Sequence, residues 1–474
     1  MHDPALQSAM PLLLRGGTVV SDSALLRADV LVDGEKIVAV GRDLESSSAD
    51  VVDAAGLHLL PGGVDVHTHL DMPLGDIRSS DDFHTGHVAA AFGGTTTHLD
   101  FANQSKGGTL REAVETWHGM ARGKACIDYG FHVTVTDVND HTLSEISELP
   151  AMGITTIKML MAYKGRIMVE DADLFRAMRC ARDAGILTML HCENGDVIDL
   201  LVREAVERGW TQPAAHPATR PVQLEGEATG RAIAIAEILG APIYIVHVTC
   251  AEALTRIGEA QRREQAHVHA ETCVQYLVFT TDDLDREGFE GAKWVCSPPF
   301  RGPDDIEALW HALRDGTLSV VSTDHCPFYF ETQKVLGVND FSKIPNGVPG
   351  IEDRLTVLNE LGVKAGRLDL CRFVGLTATN PANIFGLGDR KGRIAPGLDA
   401  DIALWDMSAA RRLSIDNYHS AVDYRLYEGM DVRGVPVKVY RRGELIVDGD
   451  DFLAEEGSGR FLFRSITPVS GRAG

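Results

Sequence analysis

The sequence predicts an α/β fold: a (β/α)8 barrel of the TIM type carrying a small β-sandwich built from both chain termini. Three observations predict it. Between residues 61 and 385, eight short apolar runs of β character alternate with helix-like stretches. They end near His69, Asp100, Thr136, Lys158, His191, His247, Glu271 and Asp324, a mean spacing of about 36 residues, which suits one strand plus one helix. The flanking segments, 1–60 and 386–455, are both short-stranded and each too small for a core of its own, so they are expected to share one. A doubly wound open sheet is the alternative, but no Gly-rich fingerprint follows an early strand.

Taken in order, 12–20 reads as a strand with a turn. Residues 28–32 run into Asp33-Gly34, a strong hairpin signal, and 36–40 return. Residues 51–56 lead into the strand that ends at His67-Thr68-His69. Within the barrel, 172–182 shows a helical pattern. After residue 385, strands are expected at 400–405, 435–440 and 445–447, with a turn at Arg442-Gly443. The tail, 456–474, is polar and Gly-rich apart from Phe461-Leu462-Phe463, which reads either as a docking arm for a second subunit, the reading preferred here, or as a loosely held segment.

The bulk numbers exclude some functions. The net charge of −23 over 474 residues argues against a nucleic-acid groove and against an anionic membrane surface as partner. Eight cysteines without a CxxC read as reduced thiols in an intracellular protein. No apolar run approaches the roughly 20 residues of a membrane span. Residues 1–10 carry neither the basic nor the apolar region of a signal peptide, so a cytoplasmic location is expected.

The chemistry starts at His67 and His69. In a strand the side-chain period is 2, so both point to one face, and two buried imidazoles are costly unless their nitrogens are satisfied. Hydrogen-bonded core histidines or a divalent metal would each do so. A second pair, His267 and His269, has the same spacing, so spacing alone does not choose. Position does: His67 and His69 end strand one, His191 strand five, His247 strand six and Asp324 strand eight, and barrel strands converge at their C-terminal ends. Four imidazoles and a carboxylate suit zinc, or Mn, Fe or Co, better than Mg or Ca. His269 stands as a rival ligand or a neighbour behind one. Lys158 ends strand four at the same level, where an ammonium would be repelled by a dication. It is salt-bridged, or neutral, or converted by CO2 to a carbamate whose two oxygens could bridge two metals about 3.5–4 Å apart.

These stretches have company: Ile157-Lys158-Met159-Leu160-Met161-Ala162-Tyr163-Lys164-Gly165, Leu190-His191-Cys192-Glu193, Glu271-Thr272-Cys273-Val274-Gln275-Tyr276-Leu277, Ser322-Thr323-Asp324-His325-Cys326-Pro327-Phe328 and Asn346-Gly347-Val348-Pro349-Gly350-Ile351-Glu352-Asp353-Arg354. With Asp65-Val66-His67-Thr68-His69 they resemble the dihydropyrimidinase/hydantoinase branch of the amidohydrolase superfamily, and the resemblance spans residues 12–450. It implies a hydrolase of carbon–nitrogen bonds in cyclic amides, acting on dihydropyrimidines, as in pyrimidine catabolism, or on 5-substituted hydantoins, and releasing N-carbamoyl amino acids. It implies two zinc ions per subunit, one held by His67, His69 and Asp324 and the other by His191 and His247, bridged by carboxylated Lys158 and a hydroxide. Asp324 is then the base and acid of the reaction and Tyr163 a donor to the oxyanion. Ser297 and Asn346 match positions that hold the ring imide, and Leu160 and Ile167 sit where a ring substituent could lie. The loops at 70–80 and 160–168 are expected to set substrate choice. The family usually forms tetramers or dimers, so a homo-oligomer is expected.

Other branches fit less well. Dihydroorotases carry an arginine just after the HxH to grip a carboxylate, whereas here Leu70 and then Asp71 follow. An allantoinase-like ureide hydrolase is a nearer alternative. Non-catalytic relatives that serve as interaction proteins have lost metal ligands, and all six positions are filled here.

Overall fold

The structure, a computed structural model, describes residues 10–466. The segment read for a signal peptide therefore lies outside the described residues, apart from Met10, as does the end of the tail.

Eight parallel strands form the barrel in chain order: Gly63–Thr68, Thr95–Asn103, Asp128–Thr134, Thr156–Leu160, Leu187–His191, Ile243–Ile245, Val268–Cys273 and Val320–Ser322. Helices such as Leu110–Ala121, Asp171–Asp183 and Ala251–Arg263 cover the outside, so the strands are buried on both faces and read as apolar runs. Asp100 was the expected end of the second strand, yet the strand continues to Asn103. Its carboxylate is buried because Thr68 Oγ1, Leu70 N and Trp117 Nε1 all donate to it at 2.8–2.9 Å. It faces the helix layer and not the barrel mouth. The sixth strand stops at Ile245, short of His247, whose φ of 38° breaks the extended conformation.

The ring closes between the first and eighth strands. At the rim, His69 N donates to His325 O at 2.9 Å. Lower down, the seam is held by a side chain: Arg354 Nη1 donates to Val64 O (2.9 Å) and Val321 O (3.2 Å), one carbonyl from each strand. Arg354 Nη2 donates to Thr95 Oγ1, and the guanidinium is fully buried.

Both termini contribute to one nine-stranded sheet. They meet where His58–Pro61 pairs antiparallel with Ile402–Arg412, Leu59 opposite Leu404 and Pro61 opposite Ile402. The hairpins fall where expected, after Asp33 and after Arg441. The second turn uses Arg442 and Gly443 at φ 47° and 78°, the two left-handed residues of a type I′ turn. Leu14, Val30, Ile37, Leu59, Ile402 and Leu404 form a core separate from the barrel's. Lys391 links this unit to the barrel, its Nζ 2.7 Å from Asp128 and 2.5 Å from Asp401.

The tail differs from the docking arm the sequence suggested. Tyr129 N donates to Arg460 O at 2.9 Å and Leu462 N to Tyr129 O at 2.6 Å, so the segment lies along the third barrel strand. The Phe461 ring packs at a tilt against that of Phe131, and Leu462 joins Phe385 and Leu387 in the cluster that fills the barrel interior. Two of the three apolar residues thus serve this chain's own core, and Phe463 alone, 59% exposed, faces outward. Among the described residues, no helix is long and apolar enough to cross a membrane.

Candidate active site

The C-terminal ends of the barrel strands bring together His67, His69, Lys158, His191, His247 and Asp324. Each is there because a strand directed inward ends beside it or just before it. Nε2 of His67 and Nε2 of His69 each lie 3.1 Å from Asp324 Oδ1. His67 Nε2 is also 2.9 Å from Lys158 Nζ. Opposite, His191 Nδ1 and His247 Nε2 are 2.9 Å apart. Phe101 forms an apolar floor, its ring 4.7 Å from that of His67 and 4.1 Å from Lys158 Nζ.

The residues fit a metal ion. His67 Nδ1 donates to Glu271 Oε1 at 2.5 Å and His191 Nε2 to Glu193 Oε2 at 2.7 Å. Those two bonds take the single proton of each neutral ring, so His67 Nε2 and His191 Nδ1 turn lone pairs into the site. His69 Nε2 and the Asp324 carboxylate face the same point, and the three ligand atoms of His67, His69 and Asp324 lie within 4.8 Å of one another. Nδ1 of His69 and Nδ1 of His247 are buried without partners. Lone pairs so converged repel unless a cation sits among them. Burial and the Lys158 ammonium push the His67 pKa down, yet the Asp324 and Glu271 carboxylates raise it overall. Burial pushes the Asp324 carboxyl up, but His67 and His69 outweigh it and hold it well below the usual range. Burial lowers Lys158 and brings His69 to about 4.

Tyr163 stands over this cluster, its ring 5.6 Å from that of His191 and 5.5 Å from the Arg220 guanidinium carbon. Its φ is 67°. The loop that follows winds onto its carbonyl, which accepts from Arg166 N, Ile167 N and Met168 N. The phenol is kept protonated chiefly by burial, and it lies within hydrogen-bonding reach of Ser297 and Asn346. Asn346 Nδ2 donates to Ser297 Oγ at 2.9 Å. The three residues expected to touch substrate therefore form one cluster beside the histidines. Leu160 ends the fourth strand two residues past Lys158, on the same face, and Ile167 is half-buried on the same loop.

Two expectations change. His267 is exposed and His269 lies at the start of the seventh strand, in register with Tyr244 at the opposite end from the cluster. The second HxH is thus no ligand pair. Leu70 does not face the mouth either. It is fully buried against the helix Thr85–Phe92, where a Cβ on Gly86 would come within 2.4 Å of its Cδ2. Asp71, which follows it, pairs with Arg78 and Lys124.

The sequence reading assigned no role to several residues that organise the site. Glu271 Oε2 accepts from Tyr244 OH at 2.9 Å while Oε1 orients His67. Glu193 is joined by Arg220 at 2.7 Å, and Arg301 bonds Glu225 and Thr249 behind them. Glu193 carried a signal, its place two residues after His191; Arg220 and Arg301 lie on connecting loops and carried none.

Comparison with known proteins agrees with this geometry. The model of the amidohydrolase family matches residues 58–446. The chain is 47% identical to a D-hydantoinase of Geobacillus stearothermophilus, over 96% of this chain and 97% of that one. It is 42% identical to the dihydropyrimidinase of Rattus norvegicus, over 96% and 88% respectively. The crystal structure of a dihydropyrimidinase from Brevibacillus agri superposes with a TM-score of 0.95 at 50% identity, covering 96% of this chain and 99% of the other. The chain belongs to the amidohydrolase family, in the branch that holds the D-hydantoinases and dihydropyrimidinases.

Proposed function

We propose that this chain is a metal-dependent hydrolase that opens the ring of 5-substituted hydantoins and dihydropyrimidines to give N-carbamoyl amino acids. One observation carries the reading: four imidazoles, the Asp324 carboxylate and buried Lys158 converge at one barrel rim, beside the cluster of Tyr163, Ser297 and Asn346. His67, His69 and Asp324 would hold one ion, and His191 and His247 a second. Carboxylated Lys158 would supply the bridging anion, with zinc favoured by the nitrogen-rich donor set and Mn, Fe or Co as alternatives. When bound, the ions make water available as a nucleophile near neutral pH and polarise the amide carbonyl.

The side chains do the rest. Ser297 and Asn346 hold the imide of the ring. Leu160 and Ile167 offer apolar contact to a 5-substituent. Tyr163, kept protonated by burial, donates to the carbonyl oxygen as negative charge develops there. Asp324 accepts the proton of the attacking water and passes it to the ring nitrogen as the C–N bond breaks. The nitrogen leaves as a neutral amide of the carbamoyl group.

Metal analysis and turnover of dihydrouracil and of both enantiomers of 5-phenylhydantoin test the proposal. Two ions per chain and ring opening are expected, together with a native mass heavier by one CO2 that is lost on denaturation in acid. A metal-free chain that opens none of these rings would make it an interaction protein, and turnover of allantoin alone would move it to the ureide hydrolases. We further propose a homo-oligomer in a reducing cytoplasm, in keeping with exposed Phe463 and eight free thiols. Light scattering of the Phe463→Ser variant tests that role of the tail without removing Leu462 from the barrel.

A further inference from the structure

Lys334 is a fully buried lysine outside the metal cluster. Its Nζ donates to three backbone carbonyls: Val295 O at 2.9 Å, Pro345 O at 2.9 Å and Gly347 O at 2.7 Å. No carboxylate pairs with it among the described residues. The three acceptors belong to two segments far apart in sequence. Val295 lies two residues before Ser297, and Pro345 and Gly347 flank Asn346. An ammonium has three N–H donors and no acceptor, so the three carbonyls use it completely. A neutral amine would have to turn its lone pair toward one of the oxygens. Burial pushes the group down to about 7; hydrogen bonds to three acceptors favour an ammonium over a neutral amine.

Other contacts tighten the same junction. Gly347 N donates to Val295 O at 3.0 Å, tying the two segments directly. Gly347 has φ 143°, and a Cβ there would lie 2.1 Å from Cys326 O, so the backbone is pressed against the segment that follows Asp324. His216 Nε2 donates to Cys296 O at 2.8 Å from the other side. Without Lys334, three carbonyls would be left in a buried space with one N–H between them.

We propose that Lys334 is a positioning residue for substrate: a charged clamp that fixes the spacing and orientation of Ser297 and Asn346, and so sets how tightly the ring imide is held. It touches neither substrate nor metal ligand and acts only through the two segments it joins. The inference rests on the proposed role of Ser297 and Asn346 in holding the ring.

The test is a double-mutant cycle in the metal-loaded full chain, with dihydrouracil and 5-phenylhydantoin as substrates, using Lys334→Met, Asn346→Ala and the pair. Lys334→Met is expected to raise KM by about 10-fold or more, as loss of a charged hydrogen-bonding group at a binding element does, with a smaller change in kcat and unchanged metal content. The double variant is expected to be no worse than the poorer single variant by more than about 2-fold, because both changes disable one element. If Asn346→Ala raises KM and Lys334→Met does not, or if the two effects multiply, the clamp is refuted while the role of Asn346 stands. If Asn346→Ala leaves KM unchanged, the role of Asn346 and the clamp fall together. Should Lys334→Met not yield folded protein, Lys334→Gln, which keeps two N–H donors, carries the same cycle. Loss of the folded chain in both would make Lys334 a residue of the fold and not of the site, which also overturns the proposal.

Discussion

Replacing Glu271 by glutamine isolates one charge behind the proposed metal site. The carboxylate is fully buried. Oε1 accepts from His67 Nδ1 at 2.5 Å and from His247 N at 3.3 Å, and Oε2 accepts from Tyr244 OH at 2.9 Å. Glutamine keeps the volume. Its amide oxygen can still accept from His67, and its NH2 can donate to a reoriented Tyr244 hydroxyl. What is lost is the charge assistance, the difference between roughly 1.5–3 kcal/mol for a hydrogen bond to a charged group and 0.5–1.5 kcal/mol for a neutral one. That difference, about 1–1.5 kcal/mol, corresponds to about a 10-fold weaker grip of His67 on its ion, at the lower end of what such outer partners contribute. Glu271→Ala is a different perturbation. It strands three buried donors at about 1–3 kcal/mol each and should cost several kcal/mol of stability. The assay is zinc affinity by competition with a chelating indicator, paired with urea unfolding of the metal-free chain. Glu271→Gln should weaken zinc about 10-fold with a small change in the unfolding midpoint, and Glu271→Ala should lower both. Zinc affinity within about 2-fold of wild type in Glu271→Gln would refute the argument that charge at this position orients and strengthens His67.

Three further outcomes follow from the same geometry. Tyr163→Phe should lower kcat on hydantoins by about 10²–10³ with KM little changed if its hydroxyl donates to the developing oxyanion as proposed; steady-state kinetics check this, and a change confined to KM would make Tyr163 a binding group only. Arg354→Met removes the side-chain link across the first and eighth strands and strands three buried acceptors, so urea unfolding should report a loss of about 3 kcal/mol or more. Burial, helped by the nearby Arg220 cation, holds His216 at about 3, below its ordinary 6.5. Its unfolded form therefore binds the extra proton between those values, so the stability it contributes is complete above pH 6.5 and falls by up to about 1.4 kcal/mol per unit below it. Unfolding midpoints from pH 7 to pH 5 should decline less steeply in His216→Gln than in wild type, and parallel slopes would exclude this histidine as a source of acid sensitivity.

Much of the candidate site was legible because a barrel converts chain position into spatial position. A polar residue at the end of an apolar run is carried to one rim, so His67, His191, His247 and Asp324 could be grouped from strand ends alone. The same logic separates His267 and His269, once the seventh strand is seen to run past them to Cys273. It failed where adjacency in the chain was taken for adjacency to the mouth. Leu70 follows His69 directly, but the chain has already turned outward there and packs the residue against Gly86. Backbone strain was invisible too. Of the seven described non-glycine residues with positive φ, three are Tyr163, His247 and Asp324, and their position at strand ends does not by itself announce a left-handed backbone. Arg354, Arg220 and Lys334 come from segments whose partners lie far away in sequence, and a lone arginine or lysine there reads as an ordinary solvated charge.

Three buried lysines show what makes one of them chemically available. Lys391 Nζ is surrounded by the carboxylates of Asp128, Asp401 and Asp399, and that setting raises its pKa despite burial. Lys334 Nζ gives its three N–H bonds to three carbonyls. Each has an acceptor for every N–H it carries as an ammonium, although burial brings Lys334 down to about 7. Among the described residues Lys158 Nζ has one hydrogen bond, to His67 Nε2, and it rests 4.1 Å from the face of Phe101. Two of its three ammonium donors would lack acceptors, in a place where burial already disfavours the charge. As a neutral amine it would present a nucleophilic nitrogen to CO2. The carbamate that results would replace an unsatisfied cation with an anion, among imidazole lone pairs that call for metal. Burial alone therefore does not single out Lys158. The contrast between Lys158 and the two well-partnered lysines does, and it supports the bridging role proposed for Lys158.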